Sequence, residues 1–172
     1  MRPLIGATST SDDPIDLLLD CHARIRQFTA LARRLADATD APPEQVVDAA
    51  ERVARYFGVA LPLHAADEEA SLAPRLRGHD ADLDRALAVM RDEHDAHDAA
   101  VAAVCAVCEA LAADPSRHAA LAVRLGQAAD ALAAHFDAHL AAEEAVVVPA
   151  ARRLLDADAR AAVLAEMRAR RR

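Results

Sequence analysis

The segment His64-Ala65-Ala66-Asp67-Glu68-Glu69-Ala70-Ser71-Leu72-Ala73-Pro74 returns later in the chain as His139-Leu140-Ala141-Ala142-Glu143-Glu144-Ala145-Val146-Val147-Val148-Pro149. Both copies read H-x3-E-E-A-x3-P without a gap. Each is preceded by a D-x-H triplet, Asp20-Cys21-His22 for the first and Asp92-Glu93-His94 for the second. A repeat of this kind means that one pair of helices is followed by a second pair of the same design. An i,i+4 step turns about 40° beyond a full helical turn, so His64 and Glu68 share a face, as do His139 and Glu143.

Apolar residues extend the same faces. Ile15, Leu18 and Ile25 flank His22, while Phe57 and Leu72 flank His64; Leu87, Met90 and Val101 flank His94, and Leu132 and Val146 flank His139. Each helix thus shows a core stripe with polar residues set into its middle. Burying carboxylates and imidazoles without partners costs several kcal/mol per charge. One or two bound cations remove that cost, because the metal pairs the carboxylates. A single H-x3-E is equally well read as a core histidine hydrogen-bonded to a glutamate. Two copies in matched positions, each with an upstream histidine on the partner helix, point to metal.

The punctuation between these segments is helical. Asp13 offers an N-cap with Pro14 at the first helical position, and the helix is expected to run to about Asp40, before Ala41-Pro42-Pro43. A second helix is expected from Pro43-Glu44 to near Arg77, stopped by Gly78. The third starts at Asp80 or Asp82 and ends near Ala113; Asp114-Pro115 opens the fourth, which reaches Leu155. The expected architecture is all-α: a loose arm over residues 1–12, an up-down-up-down four-helix bundle over 13–155 and a helical tail over 156–172.

Composition agrees. Ala, Leu, Arg, Glu and Asp dominate, and aromatic residues make up 2%, so the core is built from small aliphatic side chains that suit closely spaced helices. A net charge of −8 excludes a nucleic-acid-binding face, which needs clustered cations. Every basic residue is Arg. The one basic run, Arg168, Arg170, Arg171 and Arg172, reads as a solvated helix end that suits the helix dipole. No segment is expected to span a bilayer, residues 1–13 lack the apolar core of a signal peptide, and three cysteines make no disulfide framework. The expected compartment is the cytoplasm.

On these residues the chain resembles the hemerythrin family, in its bacterial HHE cation-binding branch, over about 13–155. The family pattern H…H-x3-E…H…H-x3-E falls on His22, His64, Glu68, His94, His139 and Glu143. The resemblance implies two iron ions, oxo- or hydroxo-bridged, with Glu68 and Glu143 spanning both and the histidines completing the coordination. The residue types alone admit zinc or manganese. Oxygen carriers of the family supply a fifth histidine, one turn beyond the third-helix ligand, where this chain has Asp98. His97 and His135 are the candidates for that extra nitrogen.

Other polar residues read more plainly. His79 and His118, beside Gly78 and Pro115, are expected in solvent; Glu69 and Glu144 point about 100° away from the motif glutamates, as supporting or surface acids. Tyr56 lies two turns before His64, too far to ligate unless Gly58 and Pro62 distort the helix. Cys105 and Cys108 fall in mid-helix as small core residues. The function expected is binding or sensing of O2, NO or peroxide. Two other classes compete: a di-iron enzyme (an oxidase, a peroxide-decomposing activity or an iron–sulfur repair protein), and a zinc-stabilised interaction module. Catalytic residues are not identified by the sequence.

Overall fold

Aspartates start all the helices but the second, which begins at Pro42-Pro43. In a computed structural model that describes residues 11–172, Asp13 accepts from the Ile15 amide at 2.8 Å and opens α1 (Pro14–Asp37). Asp80, rather than Asp82, caps α3 (Ala81–Ala113) through the Leu83 amide, and Asp156 caps α5 (Ala157–Ala169) through the Ala159 amide. Between them run α2 (43–76) and α4 (118–154), the latter entered through a 3₁₀ turn, Pro115–Arg117, that Asp114 caps. The expected arm falls mostly on residues 1–10, outside the described residues.

α1 stops at Asp37, three residues before the expected end. The turn into Pro42-Pro43 takes up residues 38–42, closed by a hydrogen bond from the Ala41 amide to the Ala38 carbonyl. At Gly78 φ is +81°, the left-handed conformation in which a glycine ends α2 without steric penalty.

The four long helices pack as a ring, α1 against α2 and α4, and α3 against α2 and α4, so each lies beside its neighbours in sequence. α5 folds back across α1 and the C-terminal part of α2, at the turn Asp67–Leu72. The fold is the expected all-α bundle with a helical extension. The C-terminal half of α3 is, contrary to expectation, long and apolar enough to cross a membrane by composition; its stripe of Val104, Val107, Cys108 and Leu111 is buried in the bundle.

Three turns widen to π geometry, and each ends just before a proline. The amides of Leu61, Ala73 and Val148 reach back five residues to the carbonyls of Tyr56, Glu68 and Glu143, and Pro62, Pro74 and Pro149 follow. A proline inside a helix has no N–H to give and crowds the carbonyl four residues back; one extra residue in the preceding turn relieves both problems and keeps the helix continuous. The prolines of the two motifs therefore widen α2 and α4 at the very turns that carry Glu68 and Glu143. One stripe assignment changes with this: Val146 is 40% exposed, and Val147 and Val148 take the inward places.

The core is split in two. One apolar cluster includes Ile25, Phe57, Val104 and Leu132; the other includes Leu18, Leu72, Met90, Val147 and, from α5, Val163 and Met167. The layer between them holds the polar residues of the four stripes.

Candidate metal centre

Six side chains from four helices meet in that layer: His22 from α1, His64 and Glu68 from α2, His94 from α3, His139 and Glu143 from α4. Five of the six are buried, and His94 is nearly so. All four imidazoles turn Nε2 inward onto the two carboxylates. His22 lies 3.5 Å from Glu68 and 3.3 Å from Glu143; His64 and His94 approach Glu68 at 3.4 and 3.3 Å; His139 approaches Glu143 at 3.3 Å.

The donors sort into two groups that share both carboxylates. His22, His64, Glu68 and Glu143 offer atoms within 4.8 Å of one another, and so do Glu68, His94, His139 and Glu143. Few of these atoms make hydrogen bonds. Nε2 of His22, His64 and His94, Oε2 of Glu68 and both carboxylate oxygens of Glu143 are buried without such a partner. Buried polar atoms are nearly always hydrogen-bonded, so a set of them aimed into one space fits a cation there. Electrostatics agree. Burial opposes charge on His22 and His94, yet the carboxylates facing them outweigh it and hold their pKa values up at about 10 and about 9. Burial would raise the Glu68 pKa, but His64, His22 and His94 together draw it below the usual carboxylate range. Burial, joined by the nearby Glu68, pushes Glu143 up. At His64 burial outweighs the pull of Glu68, with the nearby His22 and His94 adding to it, and lowers the pKa to about 4.

The outward nitrogens are braced. Nδ1 of His94 lies 2.7 Å from Glu69, that of His22 3.0 Å from Glu144, and that of His139 2.8 Å from Glu93. An Nδ1–H held by a carboxylate leaves the Nε2 lone pair for a metal and fixes the ring's orientation. In each motif, then, the first glutamate points in and the second reaches sideways to the upstream histidine of the other helix pair. Arg26 in turn holds Glu144 at 2.8 Å. Sequence reasoning anticipated Glu69 and Glu144 and missed Glu93 and Arg26. Glu93 adjoins His94, and helix neighbours point about 100° apart, so adjacency hid its reach to α4.

The extra histidines stand apart from these groups. His97 is buried with its ring 4.9 Å from that of His139 and tilted against that of Phe136 at 4.6 Å; burial lowers its pKa to about 4. His135 is exposed, 5.6 Å from His97 between ring centres. Tyr56 does not turn to the centre: its hydroxyl donates to the Cys21 carbonyl at 3.4 Å, and Phe28 stacks on its ring. Cys108 is fully buried, and burial pushes its thiol up to about 12.

Two expectations are corrected. His118 is buried, because the 3₁₀ turn brings it against the end of α1, where Nε2 donates to the Leu35 carbonyl at 2.6 Å. His79 is exposed, as expected. The basic run is a solvated helix end only in part: Arg168 and Arg172 are exposed, but the two arginines between them are engaged. Arg170 and Arg171 pair with Asp67 at 2.8 and 2.5 Å, since α5 returns across the bundle and delivers them to α2; Arg168 reaches Asp12.

A four-helix bundle whose helices jointly present histidines to a pair of shared glutamates belongs to the class of cation-binding bundles. The family model described as the hemerythrin HHE cation binding domain matches residues 13–107, more than half of the chain, and the chain belongs to that family. The matched part ends before His139 and Glu143, which enter through the repeat and the geometry. Over 70 residues the chain is 31% identical to an uncharacterized protein of Haemophilus influenzae; the aligned stretch is 40% of this chain and 41% of that relative, so less than half of either is compared.

Proposed function

We propose that this protein holds two iron ions, one in each donor group, with Glu68 and Glu143 shared between them, and uses the centre to bind or sense a small molecule such as O2, NO or peroxide. The observation that carries the reading is the sharing itself. Two histidine pairs and one pair of carboxylates give each position four nitrogen and oxygen donors, a set that suits non-haem iron. Bound there, iron supplies open coordination positions and a reversible change of oxidation state.

The chain's own residues set the conditions. Glu69, Glu93 and Glu144 hold three imidazoles in register. Phe57 and Phe136 stack on each other beside the centre and give its approach an apolar lining. A cleft of about 340 Å³ opens between α2 and α3, reaching His64, His94, His97 and His139 past Leu61 and Val101. Its size admits a diatomic or peroxide. The neutral His97 on its wall offers a hydrogen-bonding group beside the His94–His139 position. Free thiols at Cys21, Cys105 and Cys108 suit a reducing compartment, and we read the protein as cytoplasmic.

Anaerobic reconstitution with ferrous iron, followed by exposure to O2, NO and hydrogen peroxide, tests this reading. Two irons per chain and ligand-dependent absorption bands are expected. A single metal per chain, or a colourless zinc protein recovered from iron-rich medium, overturns it.

A further inference from the structure

Asp67 is an acidic residue of the first motif with no counterpart in the second, where Ala142 stands. It is fully buried, at 0% exposure, one residue before Glu68 and inside the widened turn Asp67–Leu72. A carboxylate so placed needs strong partners, and both come from the residues just beyond α5. Arg170 Nη1 donates to one oxygen at 2.8 Å and Arg171 Nη2 to the other at 2.5 Å; Arg170 Nη2 also donates to Ser71 Oγ in the same turn at 2.6 Å. The Arg171 charge also acts on the thiol of Cys21, the residue before His22, opposing the rise that burial imposes there. These arginines therefore hold the residue before Glu68, which both donor groups share, while Arg171 alone also acts beside His22, which belongs to the His22–His64 group only.

The other half of the bundle shows what the clamp replaces. There the triplet residue Glu93 braces His139, whereas the matching position in the first half is Cys21, and His64 Nδ1 is left with no hydrogen-bond partner. The first half lacks a carboxylate on its motif histidine and has an arginine clamp on its motif turn.

We propose that Arg170 and Arg171 are positioning residues for the metal centre: by clamping Asp67 they fix the turn that carries Glu68 and retain the cation of the His22–His64 group. This rests on the dinuclear reading above. Partners bonded directly to a ligand are worth about 10–100-fold in metal affinity; the clamp acts one residue from Glu68, at the low end of that range, and gives the two positions unequal retention.

The test measures extraction of iron by a ferrous chelator from anaerobically loaded full-length protein. Asp67→Asn keeps the shape, removes the charge that the arginines hold, and strands no carboxylate. It is expected to release one of its irons about tenfold faster than the unaltered protein, with the second less affected. Arg160→Gln is the control. Arg160 fastens α5 to Asp13 and to the carbonyls of Leu155 and Arg152, away from the centre; its loss is expected to lower the melting temperature and leave extraction unchanged. Arg171→Lys, which restores a cation, is expected to fall between. Should Asp67→Asn fail to fold, Arg171→Gln, with Arg170 still on the carboxylate, carries the same comparison. Equal extraction from Asp67→Asn and Arg160→Gln overturns the proposal and leaves the clamp as a fastening for α5. Fewer than two irons in the unaltered protein overturns the dinuclear reading instead; the ratio of variant to unaltered extraction still judges the clamp.

Discussion

The two halves of the bundle start from one design and part company in what surrounds the ligands. α1–α2 and α3–α4 each carry D-x-H and H-x3-E-E-A-x3-P, each places a glutamate at the start of a proline-terminated wide turn, and each lends its second glutamate to the other half's histidine. What differs lies beside the ligands. Position 21 is Cys where 93 is Glu, and position 67 is Asp where 142 is Ala. The second half is braced from within by Glu93 on His139, and the first from outside by Arg170 and Arg171 on Asp67. The comparison teaches that ligand positions follow the repeat while their support does not.

The largest effect expected treats the halves as equals. Glu68→Ala and Glu143→Ala each remove a carboxylate that both donor groups share, so each is expected to lose most of both cations, by elemental analysis after gel filtration. Loss of only one cation from either variant would break the symmetry at its centre. Removing the metals altogether is next. A ligand at a thousandfold excess over Kd stabilises the native state by roughly 4 kcal/mol, or on the order of ten degrees in melting temperature for a chain of this length. Thermal unfolding followed by circular dichroism, with and without chelator and reductant, measures it. Equal melting temperatures would mean that the six side chains satisfy one another without metal.

Much of this was legible in the residues. The gapless repeat and the alternation of apolar residues with His22, His64, His94 and His139 sufficed for the four-helix order and for which faces turn inward. The wide turns were not legible, because a proline in a helical pattern reads equally as a kink, a break or a π turn until the backbone is seen. Long-range charge pairing was hidden for a different reason. Nothing local to Arg170 or Arg171 announces Asp67, more than a hundred residues earlier in sequence, since the path of α5 across α1 and α2 decides the meeting. His118 was misread on the same account: its burial depends on the end of α1, not on its own neighbours.

Smaller effects separate the braces. Glu69→Gln and Glu144→Gln each loosen one histidine, and each is expected to weaken cation affinity by roughly 10–100-fold without abolishing binding. Glu144 is also held by Arg26, which together with His22 keeps its carboxyl below the ordinary range against a small opposing effect of burial. The pair contributes fully above the ordinary carboxylate pKa and is lost as pH falls through the lowered value, so the weakening caused by Arg26→Ala is expected to be full near neutrality and to shrink as pH falls into the carboxylate range. Titrations of the apparent Kd against pH distinguish this from a uniform loss.

The smallest expected effect, and the sharpest test of the comparison, exchanges the braces. Glu93→Gln takes the charged partner from His139 and is expected to speed cation release from the His94–His139 group severalfold. Cys21→Glu places on α1 the residue that occupies the matching register on α3. His64 Nδ1, which has no hydrogen-bond partner, is the atom such a carboxylate would serve if the halves are equivalent. Position 21 is only half-buried and Arg171 stands beside it, so an added carboxylate there gains a cationic neighbour instead of entering an apolar core. Cys21→Glu is therefore expected to fold, to melt within a few degrees of the unaltered protein, and to slow release from the His22–His64 group. It should also lessen the effect of Asp67→Asn when the two are combined, because a histidine braced from α1 depends less on the turn that Asp67 holds. Release rates from the two single variants and the double variant form a cycle in which that dependence appears as non-additivity. Strict additivity would show that Cys21 and Asp67 act on separate parts of the centre, and that the two halves support their histidines by unrelated means.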